Sequence, residues 1–351
     1  MRSLALVIGF LFFPAHAGAP LTVEQTLSGI RGSTLADRID SASVQLLGQP
    51  FLDAPLGEGP GSRYDSGPAY RLDGFDCTTF VETVLALAKS KSVSQFEKTL
   101  RQIRYRGGKA SFASRNHFPC VDWIPNNTQN GTLEDITATI GAAWGVEYAA
   151  GVISKKGWAL KLPPSVIRAE GLTDAERATR LKEIVTQFAS APEQTPHLAY
   201  IPLEKFINRK EVSPEERARR ELEEKEVTLK DRSAIPRETQ SVELDLEKQI
   251  HNEVVGVKLK YLIQDTTVDE KLLRAIPTGT ILNVVKPGWK IPGTHLNVSH
   301  QGFVIQKKDA AYFRHVSKST GRTKDVLLAN YLRLCLLMPA IKGINLQQPR
   351  G

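Results

Sequence analysis

Apolar positions recur mostly at helical spacing in the first half of the chain and alternate as in strands in the last third. Leu27, Ile30, Leu35 and Ile39 predict helices within 22–48, opened by Thr22. Phe80, Val81, Val84, Leu85 and Ala88 fall on one face and predict a core-packed helix over 77–89. Ser94 is read as the cap of a further amphipathic segment carrying Phe96, Leu100 and Ile103, which ends at Gly107-Gly108. Residues 132–145 and 151–162 are mixed, with weak strand character. Thr173 and Glu176 form a capping-box pattern that opens a helix through Phe188. Strands are expected over 280–285, 296–306 and 311–317, and a helix over Val326 to Met338 closes the chain.

Two stretches depart from these patterns. Ser213-Pro214-Glu215-Glu216 is a strong helix start, but the segment after it is dense in opposite charges and nearly lacks an apolar stripe. Residues 205–250 are therefore read as a solvated helix or mobile insertion, with a partner-binding helix as the sharper alternative. At the other end, Met1-Arg2 precedes an apolar run from Leu4 to Phe13. Small-x-small cleavage patterns come next, at Ala15-His16-Ala17 and Ala17-Gly18-Ala19. This predicts a signal peptide over 1–19, a mature domain over 20–351 and export to a periplasm or beyond. No later apolar run reaches membrane-spanning length, so no transmembrane segment is expected in the mature chain.

Composition narrows the chemistry. The 351 residues carry 46 Lys and Arg against 38 Asp and Glu, a net charge of +8. In an exported chain this suits an anionic polymer such as cell wall, or an anionic membrane surface. Nucleic acid is not expected, since no phosphate loop, finger spacing or aromatic-basic alternation is present. The three cysteines, Cys77, Cys120 and Cys335, leave at least one thiol unpaired within the chain. If that one is Cys77, Cys120 and Cys335 are available to pair.

Cys77 is the first chemical candidate. It follows the Asp73-Gly74 turn and opens the 77–89 helix. Unpaired N–H groups and the positive end of the helix dipole lie there, and both favour a thiolate nucleophile. A buried structural cysteine is the plainer alternative. Tyr64, Tyr70, Arg71 and Asp73 precede the helix, where a site wall would stand, with Asp76 next to the thiol. Asn116, His117, Asp122 and Trp123 form a polar and aromatic loop that could line a cleft, although a histidine so placed is more often structural.

The base is sought on the later strands. A hairpin with the four-residue loop 307–310 sets Gln306 opposite Ala311 and Gly302 opposite His315. His300, on one face with Val298, Gly302 and Val304, then becomes a diagonal neighbour of His315. Gly302 leaves room between them. In this arrangement Cys77 attacks a carbonyl, His300 exchanges the proton and His315 orients His300. The backbone N–H of Cys77 would help to hold the oxyanion. A purely structural histidine pair is the alternative.

The stretches Leu72-Asp73-Gly74-Phe75-Asp76-Cys77-Thr78-Thr79-Phe80-Val81-Glu82-Thr83, Val298-Ser299-His300-Gln301-Gly302-Phe303-Val304 and Phe313-Arg314-His315-Val316-Ser317 resemble the NlpC-type, papain-like cell-wall hydrolases. The resemblance is closer to the N-acetylmuramoyl-L-alanine-amidase-like subfamily, also in Arg115-Asn116-His117-Phe118, Asp122-Trp123 and Gly343-Ile344-Asn345. It runs from about residue 40 to the C-terminus. It implies an α+β papain-like fold and cleavage of a peptidoglycan amide between N-acetylmuramic acid and L-alanine. Cys77 carries over as nucleophile, His300 as base and His315 as third residue, with no cofactor or metal. Two features depart from that pattern, the charged insertion and Thr78-Thr79 in place of a small Ser-Gly pair. A stem-peptide endopeptidase of the D-glutamyl-diaminopimelate type would use the same site. A zinc amidase drawing on His295, His300 and His315, or a non-catalytic cell-wall-binding module, are further alternatives.

Overall fold

In the computed structural model, the described residues are 21–233 and 256–351. The expected signal peptide, and positions 234–250 of the expected insertion, lie outside them.

Helices dominate the first part: α1 Val23–Gly29, α2 Leu35–Val44, α3 Cys77–Ala88, α4 Val93–Arg104 and α5 Ile124–Gln129. β1 Leu133–Asp135, α6 Thr137–Gly141, β2 Glu147–Ala149, α7 Lys155–Ala159, α8 Asp174–Phe188, β3 Leu198–Pro202 and β4 Ile207–Arg209 follow. Next come α9 Pro214–Ser233, helix α10 over residues 256–265, β5 Thr266–Val268 and α11 Glu270–Ala275. The chain closes with β6 Ile281–Ile291, β7 Thr294–Gln306, β8 Ala311–Ser317, β9 Arg322–Leu327, α12 Leu328–Cys335 and β10 Gly343–Pro349.

Local side-chain chemistry explains most helix starts. Thr22, Thr34, Asp76 and Thr173 each accept from the amide three residues on, and the residue there reaches back to complete a capping box. Ser92, rather than Ser94, caps α4; its hydroxyl accepts from Gln95 N, and Phe96, Leu100 and Ile103 are buried as the periodicity requires. Residues 155–159 are helical, not strand-like, because the Ser154 hydroxyl caps them through Gly157 N. The expected helix from Val326 begins only at Leu328, since Val326 and Leu327 belong to β9 and pair with Phe313 and Tyr312.

The main sheet has eight strands in the order β2-β3-β10-β6-β7-β8-β9, with β1 added to β10; all its pairings are antiparallel. Two apolar layers cover it. Phe80, Val84 and Leu87 of α3 pack with Phe303, Ile305 and Val316 on one side. Leu328 and Leu332 of α12, with α11, pack with Val304, Phe313 and Val284 on the other. α3 is buried almost all round, from Thr79 to Ala88, which fixes its N-terminal end against the sheet. Together these elements make a mixed α+β fold on an antiparallel sheet.

The charged region is less detached than its sequence suggests. Phe206 and Ile207 lie in the core beside α11, and β4 pairs with β5 in a small second sheet. Beyond it, Arg220 of α9 binds Asp265, Lys260 binds Glu223 at 3.3 Å, and the Tyr261 hydroxyl donates to Glu223. The described part is thus a helix pair held by ion pairs, because α9 has no apolar stripe with which to hold itself.

Candidate active site

The site forms where the sheet forks. β7 and β8 pair from Gln306–Ala311 to Phe303–Arg314, and β8 then continues against β9 through His315–Lys324 and Val316–Thr323. The start of α3 meets β7 at this fork. The peptide N–H of Gln301 is directed at the Cys77 thiol, and the Gln301 amide donates to the Thr78 hydroxyl at 3.0 Å. Asp76 caps the helix beneath, accepting from Thr79 N at 2.7 Å.

The two histidines meet as the register requires. His300 Nε2 lies 2.8 Å from His315 Nδ1, and the rings stand nearly perpendicular, at 88°. Gly302 makes this approach possible: a Cβ there would sit 2.6 Å from the Arg314 carbonyl oxygen and 2.8 Å from the His315 Cβ. Val298 does not share the His300 face as expected. His300 pairs with Val284 and Val298 with the next residue, Val285, so Ser299 is a bulge that reverses the side-chain direction. The bulge lies before His300 and leaves its relation to His315 intact.

Tyr331 of α12, which the sequence pattern does not single out, completes the enclosure. Its ring centroid is 5.2 Å from that of His315 and 6.2 Å from that of His300, and its hydroxyl feels the charge of a Cys77 thiolate. It sits on a helix whose spacing reads as core, so periodicity alone marks it only as a packing residue.

The electrostatics differ from the thiolate expectation. Cys77 is partly exposed but closely surrounded, and its thiol is pushed up to about 11. Burial is the main cause, followed by the Asp76 carboxylate; the Gln301 N–H and Thr78 pull the other way. Burial lowers His300 to about 4 and also pushes His315 down, aided by His300 and Lys324. At neutral pH the thiol and both imidazoles are therefore uncharged. Among the described residues no hydrogen bond joins Cys77 to His300.

The other candidate residues have internal partners. Arg71 and Asp73 form a bidentate pair at 2.7 and 2.9 Å on the loop before α3. The Tyr64 hydroxyl bonds Glu183, and its ring packs edge-on to Phe112 in a satellite cluster. His117 is enclosed by Phe112, Trp158 and Phe188, bonds the Phe112 carbonyl oxygen at 2.7 Å, and is lowered by burial to about 3. Asn116 donates to Ile103 O, Asp122 binds Lys155, and the Trp123 indole donates to Glu82 of α3 at 3.0 Å. Asn116, Asp122 and Trp123 are thus buried and His117 half-buried, and their bonds tie this loop to Ile103 of α4, Lys155 of α7 and Glu82 of α3. Burial pushes Glu82 itself up to about 7. Cys120 and Cys335 are both free and buried, in the two separate apolar layers, as the core-like setting of Cys335 suggests, and they do not pair. Among the described residues, no three His, Cys, Asp or Glu side chains are grouped as metal ligands.

Comparison with known proteins gives one family. The AmiA-like family, described as N-acetylmuramoyl-L-alanine amidase-like, matches residues 41–218 and 205–335. Curated proteins give no match. Among solved structures, a Legionella pneumophila protein assigned to family DUF1460 is 28% identical, covering 94% of this chain and 93% of that one, with a TM-score of 0.73. An N-acetylmuramoyl-L-alanine amidase from Bacteroides uniformis is 20% identical over 91% of this chain and 100% of its own, with a TM-score of 0.53, a likeness of fold.

Proposed function

The chain belongs to the N-acetylmuramoyl-L-alanine amidase-like family, and from that premise we propose that it is an exported cysteine hydrolase of peptidoglycan. Its proposed reaction cleaves the amide between N-acetylmuramic acid and L-alanine. The observation that carries the reading is a partly exposed thiol at a helix start, with the N–H of Gln301 directed at it, while the preceding residue, His300, pairs with His315 at 2.8 Å. The order of a helix-start cysteine followed by histidines on successive strands supports a papain-like, NlpC-type assignment. β10 joins β3, β1 and β6 in one sheet, which supports a single domain over 20–351.

The proposed chemistry starts from neutral partners. With His300 Nε2–H donating to His315 Nδ1, the Nδ1 of His300 is free to act as base. Cys77 Sγ bonds to the amide carbonyl carbon while its proton passes to His300. The carbonyl π pair moves to oxygen, where N–H groups at the start of α3 stabilise it. Collapse breaks the C–N bond, His300 protonates the departing alanyl amine, and a thioester remains. Water, deprotonated by His300, then releases the carboxylic acid and the thiol. Because the thiol is pushed up to about 11 and His300 down to about 4, proton transfer accompanies attack instead of preceding it.

Thiol alkylation against chelation tests this reading. Iodoacetamide should modify native Cys77 alone and abolish hydrolysis, while EDTA leaves it unchanged, because Cys120 and Cys335 are buried. Hydrolysis that survives complete Cys77 alkylation, or is lost on chelation, would overturn it.

A further inference from the structure

Lys324 on β9 stands directly opposite His315 on β8. Directly paired residues on antiparallel strands point to the same face, so the Lys324 stem runs alongside the oriented histidine pair. The side chain is half-buried, and its positive charge lowers His315. Among the described residues it has no carboxylate partner and no hydrogen-bond acceptor.

The neighbouring acid does not neutralise it. Asp325 faces the other way, where it takes Arg314 at 2.7 Å and Lys307 at 3.0 Å; Arg314 is held further by Asp40 at 2.7 Å. The groups that share its face and surround the histidines are Phe313, Tyr331 and His300, none of them anionic at neutral pH. Tyr331 in particular is held well above its ordinary value by burial. Arg314, the buried cation of β8, thus has two carboxylates, whereas the Lys324 ammonium, on the residue paired with His315, has none among the described residues. Partial burial without a counter-ion is unfavourable and is relieved when an anion arrives.

We propose that Lys324 is a specificity residue that receives a carboxylate of the bound peptide, so that the enzyme selects stems bearing a free acid near the scissile amide. This rests on the peptidoglycan hydrolase reading above. It adds the chemical class of the neighbouring group: an anionic stem is favoured over one whose carboxylates are capped as carboxamides. The pairing is a charge-assisted contact made at the edge of the site, so it acts mainly on substrate capture.

The test compares one muropeptide in two forms, stem carboxylates free and stem carboxylates converted to carboxamides. Wild type, Lys324→Met and Lys324→Arg are assayed for KM and kcat. Binding of both forms to the same Lys324 variants is also measured by calorimetry in a Cys77→Ala background. Lys324→Met should weaken binding of the free-acid form about tenfold and leave the carboxamide form unchanged, and Lys324→Arg should restore the preference. Equal loss on both forms, or no loss on either, would overturn the proposal, the former assigning Lys324 to His315 alone. If wild type cleaves neither form, the hydrolase reading fails. The binding comparison then still decides whether Lys324 selects the acid.

Discussion

Gly302→Ala probes the histidine pair with a single methyl group. The new Cβ would lie 2.6 Å from the Arg314 carbonyl oxygen and 2.8 Å from both the His315 Cβ and a Phe313 ring carbon. Ordinary carbon contacts are about 3.5–4.0 Å, so β8 must retreat by about an ångström. The carbonyl oxygen is backbone and cannot rotate aside. A retreat of that size takes the 2.8 Å His300–His315 bond beyond hydrogen-bond range. Overpacking of this kind costs about 1–3 kcal/mol of stability, and a displacement of about 1 Å in a positioned group costs about a hundredfold in rate. The assay pairs urea unfolding with kcat/KM on a muropeptide. The expected result is a folded variant, modestly destabilised, whose activity falls far more than its stability accounts for. A variant with wild-type kcat/KM would refute the view that the close approach at Gly302 holds the base in place.

Three further outcomes rest on the same geometry. His300→Ala should lose nearly all activity and His315→Ala should retain more, since the orienting residue acts through the base; the reverse order in kcat/KM would mean the roles are exchanged. Activity should persist well below the ordinary histidine range, with its acid limb near the His300 value of about 4; a limb near 6.5 would show a solvated imidazole instead. Stability has its own pH dependence. His117 is lowered from 6.5 to about 3, so the unfolded chain takes up its proton first. Its contribution is complete above about pH 6.5 and is lost as pH falls toward 3, by up to about 1.4 kcal/mol per pH unit. Urea unfolding of His117→Phe should therefore show a shallower acid loss than wild type, and an identical slope would contradict the buried neutral state.

How much of this is legible in the sequence depends on the range of the interactions. Capping is local, so Thr22, Thr173, Ser213 and the turn before Cys77 announce their helices in a few residues. The His300–His315 pair is also local in effect, because a four-residue loop fixes the register between them. The Ser299 bulge is not, since it arises from irregular pairing with β6 and leaves the β7 sequence looking like plain alternation. β9 and β10 carry too many polar residues to read as strands. Asn345, for example, is buried by bonds to Asn283, Asp135, Thr137 and the Ala199 carbonyl, all distant in sequence. The partners of the Arg115 to Trp123 loop are hidden for the same reason. Its polar residues look solvent-facing, yet Glu58, Ile103, Lys155 and Glu82 meet them inside the fold. The state of the Cys77 thiol is hidden too, because the helix dipole is visible in sequence and the enclosing burial is not.

Mass spectrometry of purified muropeptides incubated with wild type and with Cys77→Ser tests the central claim most directly. The account predicts that wild type alone releases a free peptide beginning with L-alanine, together with the muramic acid moiety bearing a new carboxylic acid. Cleavage within the stem peptide would contradict the assigned bond while keeping the thiol mechanism, and equal cleavage by Cys77→Ser would contradict the mechanism itself.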